Sequence, residues 1–161
     1  MAKKNGSSQN PAKQAGQSRK TALITGASSG IGEALAQGFA GAGFDVILVA
    51  RSEATLKALS QTLVAQYGRS AQVLPADLAK PDAAVQLLAA VERNGWTVDV
   101  LVNCAGVLEQ GSFTSIAPAK HQQIIDLNIS GLTAMLSAFV PGMVQRGSGR
   151  VLNVASVAAF Q

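Results

Sequence analysis

Short apolar runs alternate with longer amphipathic stretches along the chain from Lys20 onwards. The short runs are rich in Val, Ile and Leu and predict strands, whereas the longer stretches repeat apolar residues at helical spacing. This alternation is typical of an α/β fold with a doubly wound parallel sheet, because parallel neighbours need a crossover that a helix supplies. The predicted strands are 21–25, 45–50, 71–75, 98–104 and 150–155. The predicted helices are 30–42, a second from 52 or 53 to 67, 82–93, and 121–145 as one long helix or two abutting ones.

The helical spacing also predicts which side chains face the sheet. Pro141 lies inside the last predicted helix and should kink or restart it, because proline removes a hydrogen bond of the helix interior. The side chains predicted to face the core are Leu56, Leu59, Leu63 and Val64 in the second helix and Val85, Leu88 and Val91 in the third.

The loop between the first strand and the first helix contains three glycines. Residues 25–32 have the sequence Thr-Gly-Ala-Ser-Ser-Gly-Ile-Gly. Glycine lets a backbone approach a ligand closely, so the loop predicts a phosphate-binding turn at a helix N-terminus. Its Gly-x-x-x-Gly-x-Gly spacing differs from the Gly-x-Gly-x-x-Gly dinucleotide fingerprint. A tight turn that binds nothing is the alternative, and the βαβ unit around the loop favours the phosphate interpretation.

Composition and charge divide the chain into two parts. The length of 161 residues and a hydrophobic content of 48% fit one domain with a sizeable core. Residues 1–20 hold five basic residues and no acid, which leaves eight basic and nine acidic residues for the remainder. Residues 1–19 contain almost no large apolar side chains and are predicted to be a disordered basic tail. Because the rest is nearly neutral, nucleic acid is not the favoured partner.

Other features limit the compartment and the kind of site. Cys104 is the single cysteine, which excludes an intramolecular disulfide and agrees with a reducing, cytoplasmic location. No signal peptide is evident and no later run has the uninterrupted length of a membrane span, so we expect no membrane partner. We expect no metal site. The single histidine, His121, is predicted to lie on the surface, and Cys104 is interpreted as a small hydrophobe.

Five segments at or near the carboxyl ends of the predicted strands resemble motifs of the short-chain dehydrogenase/reductase family, in the family's order. They are the loop Thr25-Gly26-x-x-x-Gly30-Ile31-Gly32, Asp77-Leu78, Asn103-Cys104-Ala105-Gly106, Leu127-Asn128 and Asn153-Val154-Ala155-Ser156. The resemblance covers residues 20–161 and implies an incomplete Rossmann-like dinucleotide-binding domain with strand order 3-2-1-4-5. Cys104 departs from the family's Asn-Asn-Ala-Gly, which loses any hydrogen bond that the second asparagine makes.

The resemblance implies a nicotinamide cofactor at the carboxyl ends of the strands, where parallel sheets bind ligands. The implied cofactor-binding residues are Gly26, Ser28, Ser29, Gly30, Ile31, Gly32, Arg51, Ser52, Asp77, Leu78, Asn103, Ala105 and Gly106. Arg51 follows the second strand, where an acid would bind a ribose 2′-hydroxyl and a base would meet a 2′-phosphate. We therefore favour NADP(H) over NAD(H), with a solvated surface arginine as the alternative interpretation of Arg51.

The resemblance also implies hydride transfer between NADP(H) and a small-molecule carbonyl or alcohol. Ser156 would hydrogen-bond the reacting oxygen, and Asn128 would anchor a water in the proton relay. The family's catalytic Tyr-x-x-x-Lys is absent, because Tyr67 is the single tyrosine and no lysine lies four residues after it. We expect weak cofactor affinity at most and turnover near zero from these residues.

Two origins of the missing motif stay open at this point. The chain is either a fragment of a longer reductase or a naturally truncated product. We favour the fragment, because an apolar fifth strand would otherwise be left as a bare sheet edge. A complete protein is expected to be a homo-oligomer. The alternative functions are a non-catalytic dinucleotide-binding or sensing protein and, less favoured, a nucleic-acid binder acting through the basic tail.

Overall fold

The computed structural model of the chain describes residues 19–156, within which five parallel strands form one sheet in the order β3-β2-β1-β4-β5. The strands are β1 (Thr21–Thr25), β2 (Asp45–Ala50), β3 (Ala71–Pro75), β4 (Val100–Asn103) and β5 (Arg150–Asn153). This arrangement confirms the predicted fold class and strand order. The predicted tail, residues 1–19, lies outside the described residues except for Arg19.

Helices connect consecutive strands along the chain. They are α1 (Gly30–Gly41), α2 (Glu53–Tyr67), α3 (Ala83–Arg93), α4 (Pro118–Ile124) and α5 (Leu132–Gln145). A π-helical segment, Ile125–Gly131, joins α4 to α5 without a break, and one 3₁₀ turn, Phe113–Ser115, precedes α4. The crossover between β4 and β5 therefore contains one continuous helical run of 28 residues, Pro118–Gln145.

The core lies on both faces of the sheet because successive side chains of a strand point to opposite faces. Leu23 of β1 joins a cluster with Met135 and Phe139 of α5, and the cluster also includes residues of α3. Its neighbours Ala22 and Ile24 join a second cluster with residues of α1 and α2. Continuous apolar strands such as β2 are explained by this two-sided burial.

Two of the side chains predicted to be in the core are exposed. Val64 of α2 is 48% exposed and Val85 of α3 is 66% exposed. Each lies one residue, or about 100° of helical rotation, away from a buried neighbour. In α3 the buried residues are Ala83, Ala84, Leu87 and Val91, so the phase of the buried face differs from the predicted one.

The last helical run is not restarted at Pro141, and it contains an irregularity that the sequence did not predict. Pro141 lies inside α5 and does not interrupt it. The carbonyl that loses its bond to this proline belongs to Ser137, an exposed residue where water can bond instead. The irregularity is the π-helical segment, which ends ten residues before Pro141.

Within the described residues, one helical run, Pro118–Gln145, has the length and apolar composition of a membrane span. We expected no such run from the sequence, and for Pro118–Gln145 that expectation was wrong. Met135, Phe139 and Met143 from this run are buried against the sheet. A core helix of a globular domain meets the same criteria of length and composition, so they are weak evidence for a membrane span.

Met135 and Val144 provide a matched test of this packing, because both lie on α5 but only Met135 is buried, at 0% exposure against 73% for Val144. We expect Met135→Ala to lower the free energy of unfolding by about 2–5 kcal/mol, through lost burial and a cavity under the sheet. Val144→Ala should change it by less than about 0.5 kcal/mol. Urea unfolding followed by circular dichroism measures both. Equal effects would contradict the described orientation of the helix.

Candidate functional site

A cavity of about 710 Å³ lies at the carboxyl ends of the strands. It is bordered by the loop after β1, the residues after β2 and β3, the turn after β4, part of the π-helical segment and the residues after β5. The predicted site residues that line it are Gly26, Ser28, Ser29, Ile31, Gly32, Arg51, Ser52, Asp77, Leu78, Ala105, Gly106, Asn128 and Ser156. Gly30 and Asn103, which the sequence also singled out, do not line it.

The glycine loop is folded tightly against its surroundings. A Cβ atom at Gly32 would overlap the carbonyl oxygen of Gly26. At Gly26, which has a φ of 68°, a Cβ atom would lie 2.9 Å from the Cα of Ala105. The loop therefore packs against itself and against the turn after β4, and both contacts require glycine.

The N-terminus of α1 lies beside this loop and has no side-chain cap. Ser29 occupies the N-cap position with an extended backbone, but its side chain makes no capping hydrogen bond. The first amides of a helix have no partner within the helix, and the macrodipole adds positive potential there. Ser29, Ile31 and Gly32 all line the cavity, so this helix end can bind an anionic group.

Thr25, at the end of β1, holds the turn after β4 in place. This buried hydroxyl accepts the N–H groups of Cys104 and Ala105, at 2.9 and 3.1 Å, and donates to the carbonyl of Val102 at 3.3 Å. Three backbone polar groups of the neighbouring strand and its turn are thus satisfied by one side chain. Thr25 positions Ala105 and, through it, the cavity wall at Gly106.

Asn128 fixes the next part of the same wall. Its side-chain oxygen accepts the N–H of Val107 at 2.9 Å, and its side-chain nitrogen donates to the carbonyl of Val107 at 2.8 Å. The Asn128 side-chain amide thus bonds both backbone polar groups of Val107, as a neighbouring β-strand would. It also lies close to Gly106, where a Cβ atom would be 3.4 Å from the Asn128 oxygen.

Arg51, Ser52 and Asp77 lie at the ends of β2 and β3. Ser52 caps α2, because its hydroxyl accepts the N–H of Thr55 at 3.4 Å. Asp77 accepts the N–H of Ala79 at 3.2 Å and so shapes the turn that presents Leu78. Arg51, in contrast, is exposed at the cavity, so its guanidinium can meet an anion there.

Asn103 and Cys104 occupy the end of β4 and differ in environment. Asn103 is 3% exposed and donates to the side-chain oxygen of Asn153 at 2.9 Å, which ties β4 to β5. Cys104 borders the cavity, and burial raises the pKa of its thiol. A raised pKa keeps the thiol protonated at neutral pH, so the geometry gives this cysteine no nucleophilic character.

Sequence reasoning missed several residues of this site. Thr25 and Leu127 were quoted within motifs but not assigned to the site, and Val107 had no local signal of any kind. Val107 contributes through its backbone, which no residue type reveals. Within residues 19–156, no three His, Cys, Asp or Glu side chains are grouped closely enough to hold a metal ion.

Comparison with known proteins gives consistent matches. The family model described as short chain dehydrogenase matches residues 20–161. The chain is 36% identical over 143 residues to a short chain dehydrogenase of Pseudocercospora fijiensis. The aligned region covers 87% of this chain and 46% of that protein. It therefore spans about half the length of that relative.

Two solved structures resemble the fold closely. A short-chain dehydrogenase from Sphingobium yanoikuyae in complex with NADPH has a TM-score of 0.81 and 36% identity, covering 88% of this chain and 55% of that one. L-Sorbose reductase from Gluconobacter frateurii, complexed with NADPH and L-sorbose, has a TM-score of 0.83 and 34% identity. The match covers 89% of this chain and 55% of the reductase chain. In both matches this chain again spans about half of the other.

The Thr25 hydroxyl can be tested by removing its hydrogen bonds while keeping its shape. Thr25→Val should lower the free energy of unfolding by about 2 kcal/mol or more, because the amides of Cys104 and Ala105 lose a buried acceptor. Thr25→Ser keeps the hydroxyl and should lose less. Urea denaturation of both variants measures the difference. Equal stability of the two variants would show that these hydrogen bonds contribute nothing.

Proposed function

The chain belongs to the short-chain dehydrogenase family, and on that premise we propose that its cavity binds NADP(H) for hydride transfer to or from a small-molecule carbonyl or alcohol carbon. The observation that carries the proposal is the convergence of the glycine loop, the uncapped end of α1, Arg51, Asp77 and Asn128 on one cavity. These residues are distant in sequence, and a dinucleotide is a ligand long enough to contact all of them.

The residues present fit such a cofactor. The amides at the start of α1, near Ser29, Gly30 and Ile31, would hold the pyrophosphate. Asp77 and Leu78 would hold the adenine ring, and Ala105 and Gly106 would border the nicotinamide riboside. Close backbone approach at Gly26 and Gly32 supports this assignment, because a side chain at either position would displace the loop.

The proposed preference for NADP(H) depends on Arg51. No acid occupies positions 51 and 52, and the next residue, Glu53, pairs with Lys57 at 2.7 Å. A guanidinium at the end of β2 can bind a 2′-phosphate through charge-assisted hydrogen bonds. The two related structures that contain NADPH support this choice.

The cofactor, when bound, would supply or accept the hydride. Ser156, which borders the cavity, would hydrogen-bond the reacting oxygen of the substrate. Asn128 would hold the wall at Val107 and anchor a water of the proton relay. The 161 residues contain no Tyr-x-x-x-Lys, and Tyr67 ends α2 outside the cavity, so we propose that this chain binds the cofactor without turning over.

Further parts of the proposal concern partners and location. A small-molecule substrate follows from the family, and L-sorbose, the ligand of one related reductase, illustrates a carbonyl compound of that kind. We also propose that the complete protein is a cytoplasmic homo-oligomer. The exposed Ile125, Ile129 and Val144 on the long helical run support self-association, which sedimentation velocity at increasing concentration would test.

Arg51→Ala tests the cofactor preference. We expect the NADPH affinity to fall roughly tenfold, the loss of about one charge-assisted hydrogen bond, while the NADH affinity stays unchanged. Because weak binding is expected, affinities are measured by titration of amide resonances. Arg150→Ala is the matched control, since Arg150 is an exposed arginine at the opposite end of the sheet. An unchanged NADPH-to-NADH ratio in Arg51→Ala would overturn the assignment.

Turnover by the chain itself is the second measurement. Purified residues 1–161 should give no carbonyl-dependent loss of NADPH absorbance above the blank, because they contain no Tyr-x-x-x-Lys to donate the proton. Ser156→Ala distinguishes a contaminant from genuine catalysis. A rate that scales with protein concentration and disappears in Ser156→Ala would contradict the proposal.

A further inference from the structure

Gly131, the last residue of the π-helical segment, makes an unusually close contact with the residues after β3. It is buried, and a Cβ atom there would overlap the carbonyl oxygen of Leu78 and lie 3.3 Å from its carbonyl carbon. The glycine hydrogen in that direction therefore points at the Leu78 carbonyl, a Cα–H···O contact between two backbones. Any other residue at 131 would push the two segments apart.

The two segments that meet at Gly131 form two neighbouring parts of the wall of the proposed cofactor cavity. Leu78, 8% exposed, and its neighbour Asp77 form one wall. Leu127 and Asn128 of the π-helical segment form the other, and Asn128 extends that wall through its two hydrogen bonds to Val107. A displacement at Gly131 would change the distance between these walls.

The π-helical geometry is part of the same contact. A Cβ atom at Gly131 would lie 3.2 Å from the carbonyl oxygen of Asp126, the residue five positions earlier, which is the partner spacing of a π-helix. Gly131 is thus confined on two sides, by the backbone of its own helix and by the backbone of Leu78. The segment that carries Asn128 cannot shift along the helix axis without one of these contacts changing.

We propose that Gly131 is a positioning residue that sets the spacing between the adenosine wall at Leu78 and the wall at Asn128 and Val107. Its ligand, NADP(H), rests on the proposed function. A dinucleotide must contact both walls at once, whereas 2′,5′-ADP contacts only the adenosine wall and can follow it when it moves. The spacing therefore controls affinity for the whole dinucleotide more than affinity for its adenosine half.

Gly131→Ala tests this spacing against Gly38→Ala. Gly38 lies in α1 with no atom within 4 Å of the position its Cβ would take, so it controls for the change of glycine to alanine inside a helix. In Gly131→Ala the NADPH affinity should fall roughly tenfold, and the 2′,5′-ADP affinity should fall clearly less. Gly38→Ala should leave both unchanged. Titration of amide resonances measures both ligands.

Equal losses for the two ligands in Gly131→Ala, or no loss for either, would overturn the proposal. Ligand-free spectra give a second reading that needs no nucleotide. Gly131→Ala should shift the amide resonances of Leu78 and of Val107, whereas Gly38→Ala should leave them in place. If the unaltered protein bound neither ligand, the proposed function would fail, and these spectra would still decide whether Gly131 couples the walls.

A measurement on the unaltered protein covers the case in which Gly131→Ala does not fold. Because 2′,5′-ADP contacts only the adenosine wall, any protection beyond that wall must be transmitted through the structure. We expect 2′,5′-ADP to slow hydrogen exchange at the amides of residues 125–131 as well as at Leu78. Slowing confined to the residues around Leu78 would overturn the proposal.

Discussion

Close contact between backbones at the carboxyl edge of the sheet is the constraint on which this site depends. Gly26 meets the turn after β4, Gly32 meets Gly26, and Gly131 meets the carbonyl of Leu78. At each contact a Cβ atom would overlap or press on backbone, which cannot rotate away as a side chain can. The cavity keeps its shape because the loops around it are packed on each other.

Side-chain hydrogen bonds complete what the glycine contacts begin. Loops at the end of a parallel sheet leave backbone polar groups beyond the last ladder bond, and each needs a partner when buried. Thr25 supplies partners for the turn after β4, and Asn128 supplies both partners for Val107. The amides at the start of α1 are left without a side-chain cap, so that helix end can accept an anionic group in the cavity.

The fold was predictable because its signals are local. Each strand is a short apolar run and each helix a periodic one, so the order of elements follows from the chain alone, and parallel pairing follows from the alternation. Val64 was placed wrongly because it lies about 100° around α2 from the buried Leu63, beyond the edge of the buried face. Val85 was placed wrongly because the buried face of α3 is centred on Ala84 and Leu87 instead. Pro141 does not restart the helix, because the carbonyl it leaves unbonded lies at an exposed position where water can bond.

By itself, the sequence determined the α/β class, the glycine loop, the base at position 51 and the absence of a Tyr-x-x-x-Lys, since each is read from neighbouring residues. Only the tertiary structure decided the roles of Thr25 and Asn128 in holding the turn after β4, the location of the π-helical segment and the contact between Gly131 and Leu78. These features either join residues that are separated by between 21 and 80 positions in the sequence, or depend on the register in which a helix lies on the sheet. Such distances are fixed by packing, and packing is a property of the folded chain.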